Sequence, residues 1–278
     1  MTTSGKSATD AERALERGPG AGTLGSREVQ VRIQDGVIVI TIDRPSARNA
    51  ITLAVSQGIA EALDELDERD DLAVGVLTGA GTTFCAGMDL KAFLRGERPS
   101  LPGRGLGGMT ITAPRKPVIA AVEGYALAGG CELALACDLI TAGRSAQFGI
   151  PEVRRGLVAA GGGLLRLPER IPTNIAMELA LTGELLSAER AAALGLVNRV
   201  VDDGQALDAA LQLAHAIAAN GPLATVASKR IIGEYRDWPA GERWTRQAAI
   251  VEPVFNSEDA REGAGAFAEK RAPRWQRR

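Results

Sequence analysis

The sequence predicts an α/β protein built on a mainly parallel sheet. Three observations carry this. Segments such as "AVGVLTG" and "KPVIAAVEG" are apolar without alternation, as strands buried on both faces are. Helical patterns lie between such segments, the order that gives parallel pairing. After Pro151 the chain turns mostly helical.

Element by element, residues 1–26 are rich in Gly, Ser, Thr and Ala and lack periodicity, so they are expected to form a disordered tail. "EVQVRIQDGVIVITID" reads as two alternating strands about Asp35-Gly36, a strong hairpin signal. "RPSARNAI" is a loop. Thr52 should cap a helix running to about Arg69, with Val55, Ile59, Leu63 and Leu66 on its apolar face. "AVGVLTG" is a buried strand, "GAGTTFCAG" a Gly-rich loop, and a short helix follows near Asp89–Leu94. Residues 96–108 hold five Gly and two Pro, which suggests a flexible loop or lid. "KPVIAAVEG" is a further buried strand, followed by a helix that starts at the Gly-Gly pair of "YALAGGCELALACDL". "DLITAG" and "AQFG" are short strand pieces. Residues 27–204 are expected to form the core, and residues 205–278 an appended helical region.

Composition excludes several classes of function. The 278 residues carry a net charge of −2, which does not point to nucleic-acid or membrane partners. No apolar run is long enough to span a bilayer. Cys85, Cys131 and Cys137 form no C-x-x-C pair and sit among apolar or small residues. They are expected to be reduced, buried thiols of a cytoplasmic protein. His215 is the only histidine and lies in an amphipathic helical pattern, so a Ser-His-Asp mechanism or a zinc site has too little to stand on. "GAGTTF" lacks the third glycine of a dinucleotide fingerprint.

Carboxylates and backbone N–H groups remain. Glu132 stands alone in an apolar stretch, directly behind Gly129-Gly130 at a helix start. An unpaired buried carboxylate is costly, and free first-turn N–H groups lower that cost. Glu152 follows Pro151 and opens another helical turn. Each alone is explained by a bond to its own first turn. Together, in one shielded cleft, two carboxyls can have their proton affinities pushed apart and serve as acid and base. The Gly-rich turns at Ala128–Gly130 and at Ala86-Gly87 could each offer an N–H to a developing oxyanion.

"RPSARNAI", "TGAGTTFCAGMDLKAF", "KPVIAAVEGYALAGGCELALACDL", "AQFGIPEVRRGL", "LTGELLSAERAAALGLVNRVV" and "SEDAREGAGAFAEKRAPRW" occur in the order found in the crotonase superfamily. Over about residues 28–278 the chain resembles the enoyl-CoA hydratases, and its "AGMDLKA" and "FAEKRAPRW" segments resemble the carnitinyl-CoA dehydratases. The resemblance implies a ββα-repeat superhelical core and a helical C-terminal region that forms homotrimers, or hexamers as dimers of trimers. It implies an acyl-CoA thioester as substrate, with no metal and no cofactor beyond the coenzyme A of the substrate itself. The thioester oxygen would lie between the N–H groups of Ala86 and Gly129. Glu132 and Glu152 fall on the two catalytic glutamates. Ala86, Gly87, Met88 and Asp89 would line the CoA site with Ala47 and Arg48 nearby, and Lys270 would reach a CoA phosphate across a subunit contact.

The implied reaction is syn addition of water to a trans-2-enoyl-CoA, or its reverse, with a role in fatty acid β-oxidation. The alternatives are another crotonase chemistry, carnitinyl-CoA dehydration or double-bond isomerisation, and a non-catalytic binding protein on the same fold. The chain departs from many hydratases at Ala128, where they have glycine, and at Ala159-Ala160, where they often have Pro-Gly. These methyl groups are expected to narrow or reshape the acyl pocket.

Overall fold

The computed structural model describes residues 28–278. The expected N-terminal tail lies outside the described residues. Strands β1 (Val29–Gln34) and β2 (Val37–Ile42) pair antiparallel, with Gln34 opposite Val37. Asp35 and Gly36 between them have φ of 50° and 77°, the doubly left-handed turn whose twist suits a tight hairpin.

Helix α1 (Leu53–Glu68) starts where Thr52 accepts the Val55 N–H at 3.1 Å. Its expected apolar residues Val55, Ile59, Leu63 and Leu66 are all buried. Strand β3 (Val74–Gly79) and the short helix α2 (Leu90–Leu94) follow, the latter capped by Asp89. Strands β4 (Ser100–Leu101) and β5 (Gly105–Leu106) form a small ribbon in the segment expected to be a lid. That ribbon is tied down. Ser56 donates to Pro99 O at 2.5 Å and accepts from Gly107 N at 3.1 Å, and Arg104 pairs with Asp64 at 2.7 Å. Gly107 packs against Leu133 and Gly108 against Ala60 of α1, so this part of the segment forms a wall.

Next come β6 (Val118–Val122), β7 (Tyr125–Leu127), α3 (Gly129–Ala136), β8 (Leu139–Gly143) and β9 (Gln147–Gly149). They are followed by α4 (Gly163–Arg170), α5 (Thr173–Thr182), β10 (Leu186–Ser187), α6 (Ala188–Ala193), β11 (Arg199–Val201) and α7 (Ala206–Ala218). The chain closes with α8 (Pro222–Glu234), α9 (Arg243–Phe255) and α10 (Glu258–Ala268).

The main sheet has six strands in the order β1-β2-β3-β6-β8-β11, parallel throughout except for the β1–β2 hairpin. Its central strands β2, β3, β6 and β8 are buried on both faces, which explains the lack of alternation in β3 and β6, whereas edge strand β1 alternates buried and exposed residues. Ile38, Ile40 and Ile42 join the large core with α1 and α3. Val37, Val39, Val74, Val76, Ile119 and Ala121 pack on the opposite side against Ala210 and Ala214 of α7. Helix α7 therefore belongs to the sheet, although it begins just past residue 205. Its alanines let it lie close to the strands. Helices α8 and α9 bury no residue fully within the chain.

Strands β7, β9 and β10 form a second, smaller sheet. Within it β7 and β9 are parallel, with Leu127 opposite Gly149. This pairing decides the site. Both strands leave the sheet at the same end, one into the helix of Glu132 and the other into the turn of Glu152.

Candidate active site

Glu132 lies in the first turn of α3 and is 3% exposed. It does not bond its own first turn. Its Oε1 accepts the N–H of Gly161 at 2.7 Å and of Gly163 at 2.9 Å, both from the loop that opens α4. These positions must be glycine for a reason of space. A Cβ on Gly161 would sit 2.6 Å from Glu132 Oε2, and one on Gly163 would sit 3.1 Å from its Cγ. Burial raises the Glu132 carboxyl above its ordinary range. The N–H groups of Gly163 and Gly161 and the positive charge of Arg166 oppose that rise.

Glu152 is held differently. It lies in a one-turn 3-10 helix, Pro151–Arg155, that ends on left-handed Gly156. Its Oε2 is buried without a hydrogen-bond partner among the described residues. Burial above all, with the charge of Glu132 adding to it, pushes this carboxyl up to about 7, against its own backbone N–H and the charge of Arg155. The parallel strands have thus placed the two carboxyls close enough to repel. One accepts two N–H groups from a distant loop, and the other has only its own backbone N–H.

The backbone donors lie alongside. Cys85 bridges to Ala126 of β7, accepting from Leu127 N at 3.0 Å, which brings the segment 85–89 beside the start of α3. The expected donor Ala86 is a correction. Its N–H is already given to Arg48 O at 3.0 Å. The N–H of Met88, two residues on, makes no backbone bond among the described residues. A Cβ on Gly129 would sit 3.6 Å from Met88 N and 2.8 Å from Leu106 Cδ2. Gly129 is the first residue of α3, where an N–H has no helical partner. Met88 and Gly129 are therefore the two unengaged donors that face each other.

Ala128 shapes this turn. Its φ of 51° and ψ of −125° are values that a side chain rarely tolerates. The conformation is held from outside, by its N–H on Gly149 O at 2.8 Å. Its methyl lies against Gly87, where a Cβ would approach it to 2.8 Å.

The other expected residues divide. Ala47 and Arg48 lie in the turn that accepts the Ala86 N–H. Buried Asn49 fixes that turn, donating to Ala80 O at 2.9 Å and Thr83 O at 2.5 Å and accepting from Arg44 N at 2.9 Å. Asp89 caps α2 and pairs with Arg44 at 3.1 Å; the N–H of Ala92 first, and Arg44 after it, keep its carboxyl low. Ala47, Arg48 and Ala86 to Asp89 therefore form one wall. Lys270 stands exposed at the end of α10, and no side-chain contact ties it to that wall within the described residues. The three cysteines are free and buried, each pushed up to about 12 by burial. His215 is exposed on α7. Among the described residues there is no group of three or more side chains able to hold a metal, and no helix long and apolar enough to cross a membrane.

Sequence reasoning missed the glycine clamp and the free N–H of Met88, a residue it placed only along the CoA wall. A signal existed for the first. "AAGGGL" places three glycines at a helix start, a backbone made for close approach by an anion.

The enoyl-CoA hydratase/isomerase family model matches residues 32–278. Enoyl-CoA hydratase EchA19 of Mycobacterium tuberculosis is 45% identical, over 87% of this chain and 93% of that protein. Carnitinyl-CoA dehydratase of Salmonella typhi is 43% identical, over 87% of this chain and 95% of that protein. The crystal structure of enoyl-CoA hydratase EchA1 from Mycobacterium marinum superposes with a TM-score of 0.89 at 62% identity, covering 91% of this chain and all of that one.

Proposed function

This chain belongs to the enoyl-CoA hydratase/isomerase family, and we propose that it catalyses the reversible syn addition of water to a trans-2-enoyl-CoA. The observation that carries this reading is the unequal pair of carboxyls beside two unengaged backbone donors. Glu132, held as the ion, orients a water and takes its proton as the oxygen attacks the β-carbon. The electron pair of the double bond moves onto the thioester oxygen, which the N–H groups of Met88 and Gly129 receive. Glu152, the protonated member, gives its proton to the α-carbon. Return of one proton from Glu132 to Glu152 resets the pair. The whole scheme runs on this chain's own groups and water, with coenzyme A as part of the substrate.

Ala47, Arg48 and the stretch Ala86 to Asp89 would hold the CoA moiety. Exposed Ile232, Trp244, Phe255 and Phe267 on α8–α10 support a homotrimer or a hexamer, in which Lys270 reaches the CoA of a neighbouring subunit. We place the reaction in the cytoplasm, in fatty acid β-oxidation. Loss of the conjugated thioester absorbance, followed over a chain-length series of 2-enoyl-CoAs, tests the activity. Turnover on at least one member is expected, and none on any would reject the reading.

A second reading has a specific support, the near-equal identity to a carnitinyl-CoA dehydratase. It uses the same two carboxyls. Preference for crotonobetainyl-CoA over crotonyl-CoA in the same assay would select it.

A further inference from the structure

Arg166 adjoins the clamp on Glu132 and belongs to none of the roles assigned above. It sits on α4, the helix whose first residue, Gly163, donates to Glu132. Its backbone N–H bonds Gly162 O at 2.9 Å, and its guanidinium folds back over Gly162. That glycine has φ of 97°, and the place its Cβ would need is taken by Arg166 Nη1.

The other side of the guanidinium faces a different element. Nη2 donates to Thr110 O at 2.8 Å. Thr110 is buried, and its Oγ1 accepts the Leu106 N–H at 2.8 Å. Leu106 is the residue packed against Gly129. One side chain thus spans from the loop that clamps Glu132 to the wall beside the oxyanion turn. Arg166 is half-buried and forms no ion pair among the described residues. A half-buried cation with no partner carboxylate is costly, so its charge needs another justification. Glu132 supplies one, because the positive charge of Arg166 acts on it. The other charged group facing Glu132 is Glu152, which Arg155 influences in turn.

We propose that Arg166 is a positioning residue, which holds the Gly161–Gly163 loop on Glu132 and keeps Glu132 the ionised member of the pair. The inference rests on the two-glutamate reading above. It makes the location of the shared proton depend on a residue that touches neither water nor substrate. Removing the cation raises the proton affinity of Glu132, so the fraction of enzyme with an ionised base falls at a given pH. The acidic limb of the rate profile must then move to higher pH.

The test is the pH dependence of kcat/KM for 2-enoyl-CoA hydration in Arg166→Gln and Arg166→Lys. Gln drops the charge and keeps a donor for Thr110 O, whereas Lys keeps the charge. The acidic limb of the Gln enzyme should rise by about one pH unit, with kcat near neutrality down about tenfold. KM should change less than kcat. The Lys enzyme should keep the wild-type limb. The limb is read as a property of the pair. Equal limbs in both variants would overturn the inference, and so would a Gln protein without a folded fraction, since Arg166 would then serve the fold alone. Glu132→Gln assayed alongside separates the two levels. Wild-type turnover in that protein rejects the two-glutamate reading, whereas its inactivity with unmoved Arg166 limbs rejects only the inference.

Discussion

Glu132 and Glu152 are the same side chain at the ends of two paired parallel strands, and their surroundings differ in donors. Glu132 leaves β7 on a regular helix and meets two N–H groups from a distant loop. Glu152 leaves β9 on a single 3-10 turn and keeps a buried oxygen without a partner. Burial raises both carboxyls, so burial cannot tell them apart. The distant-loop donors do, since two N–H groups hold Glu132 Oε1 while Glu152 has only its own backbone N–H and keeps Oε2 unpartnered. In the proposed reading, acid and base are assigned by glycines, with no second kind of titrating residue.

The largest expected effect comes from abolishing either half of the comparison. Glu132→Gln and Glu152→Gln should each lower hydration turnover by ~10²–10⁴-fold, the usual worth of a positioned acid or base. Acyl-CoA affinity, measured by calorimetry, should survive in both. Near-normal turnover in either would end the comparison.

Next in size is the donor pair that both glutamates serve. A branched side chain at Gly129 would run into Leu106 and Ile51. Gly129→Val should therefore cost ~10²–10³-fold in turnover, as losing one oxyanion donor does. Turnover and melting temperature measured together separate a lost site from a lost fold. A stable variant with the wild-type rate would remove Gly129 from the site.

The clamp itself can be loosened without touching a carboxyl. Gly161→Ala puts a methyl 2.6 Å from Glu132 Oε2, closer than the two atoms can sit. A displacement of this size should lower kcat by up to about 10²-fold. An unaffected rate would show that the clamp does not fix the base.

A smaller effect concerns stability. Glu152 is raised from an ordinary value of 4.5 to about 7, so its contribution is present in full below pH 4.5 and is lost as pH rises through about 7. Glu152→Gln has no charge to bury. Its melting temperature relative to wild type should therefore be higher at pH 9 than at pH 5, by a few degrees. An offset that is the same at both would mean the Glu152 carboxyl is not strained by burial.

Much of this was legible in the sequence. The hairpin, the α1 cap and the buried strands follow from local chemistry, and the structure repeats them. The glutamates were visible because a lone carboxylate in an apolar run demands an explanation. The donor at Met88 was not visible. Whether the N–H of Ala86 or of Met88 is free depends on Arg48 O, which reaches Ala86 from a distant turn fixed by Asn49. The wall at residues 96–108 was hidden likewise, since glycines that allow mobility and glycines that allow packing on Ser56 look the same in sequence. The packing of α7 on the sheet was hidden too, because its alanines do not reveal that a sheet face awaits them. In each case the missing fact was a contact between segments far apart in the chain.

The most direct test of the assignment of roles is exchange of the α-proton of a saturated acyl-CoA with deuterium from D₂O, followed by NMR. Such a substrate has no double bond to hydrate, so only the group that serves the α-carbon and the oxyanion donors are needed. The account predicts exchange in the wild type, exchange retained in Glu132→Gln, and exchange abolished in Glu152→Gln. Exchange that persists in Glu152→Gln and vanishes in Glu132→Gln would contradict it.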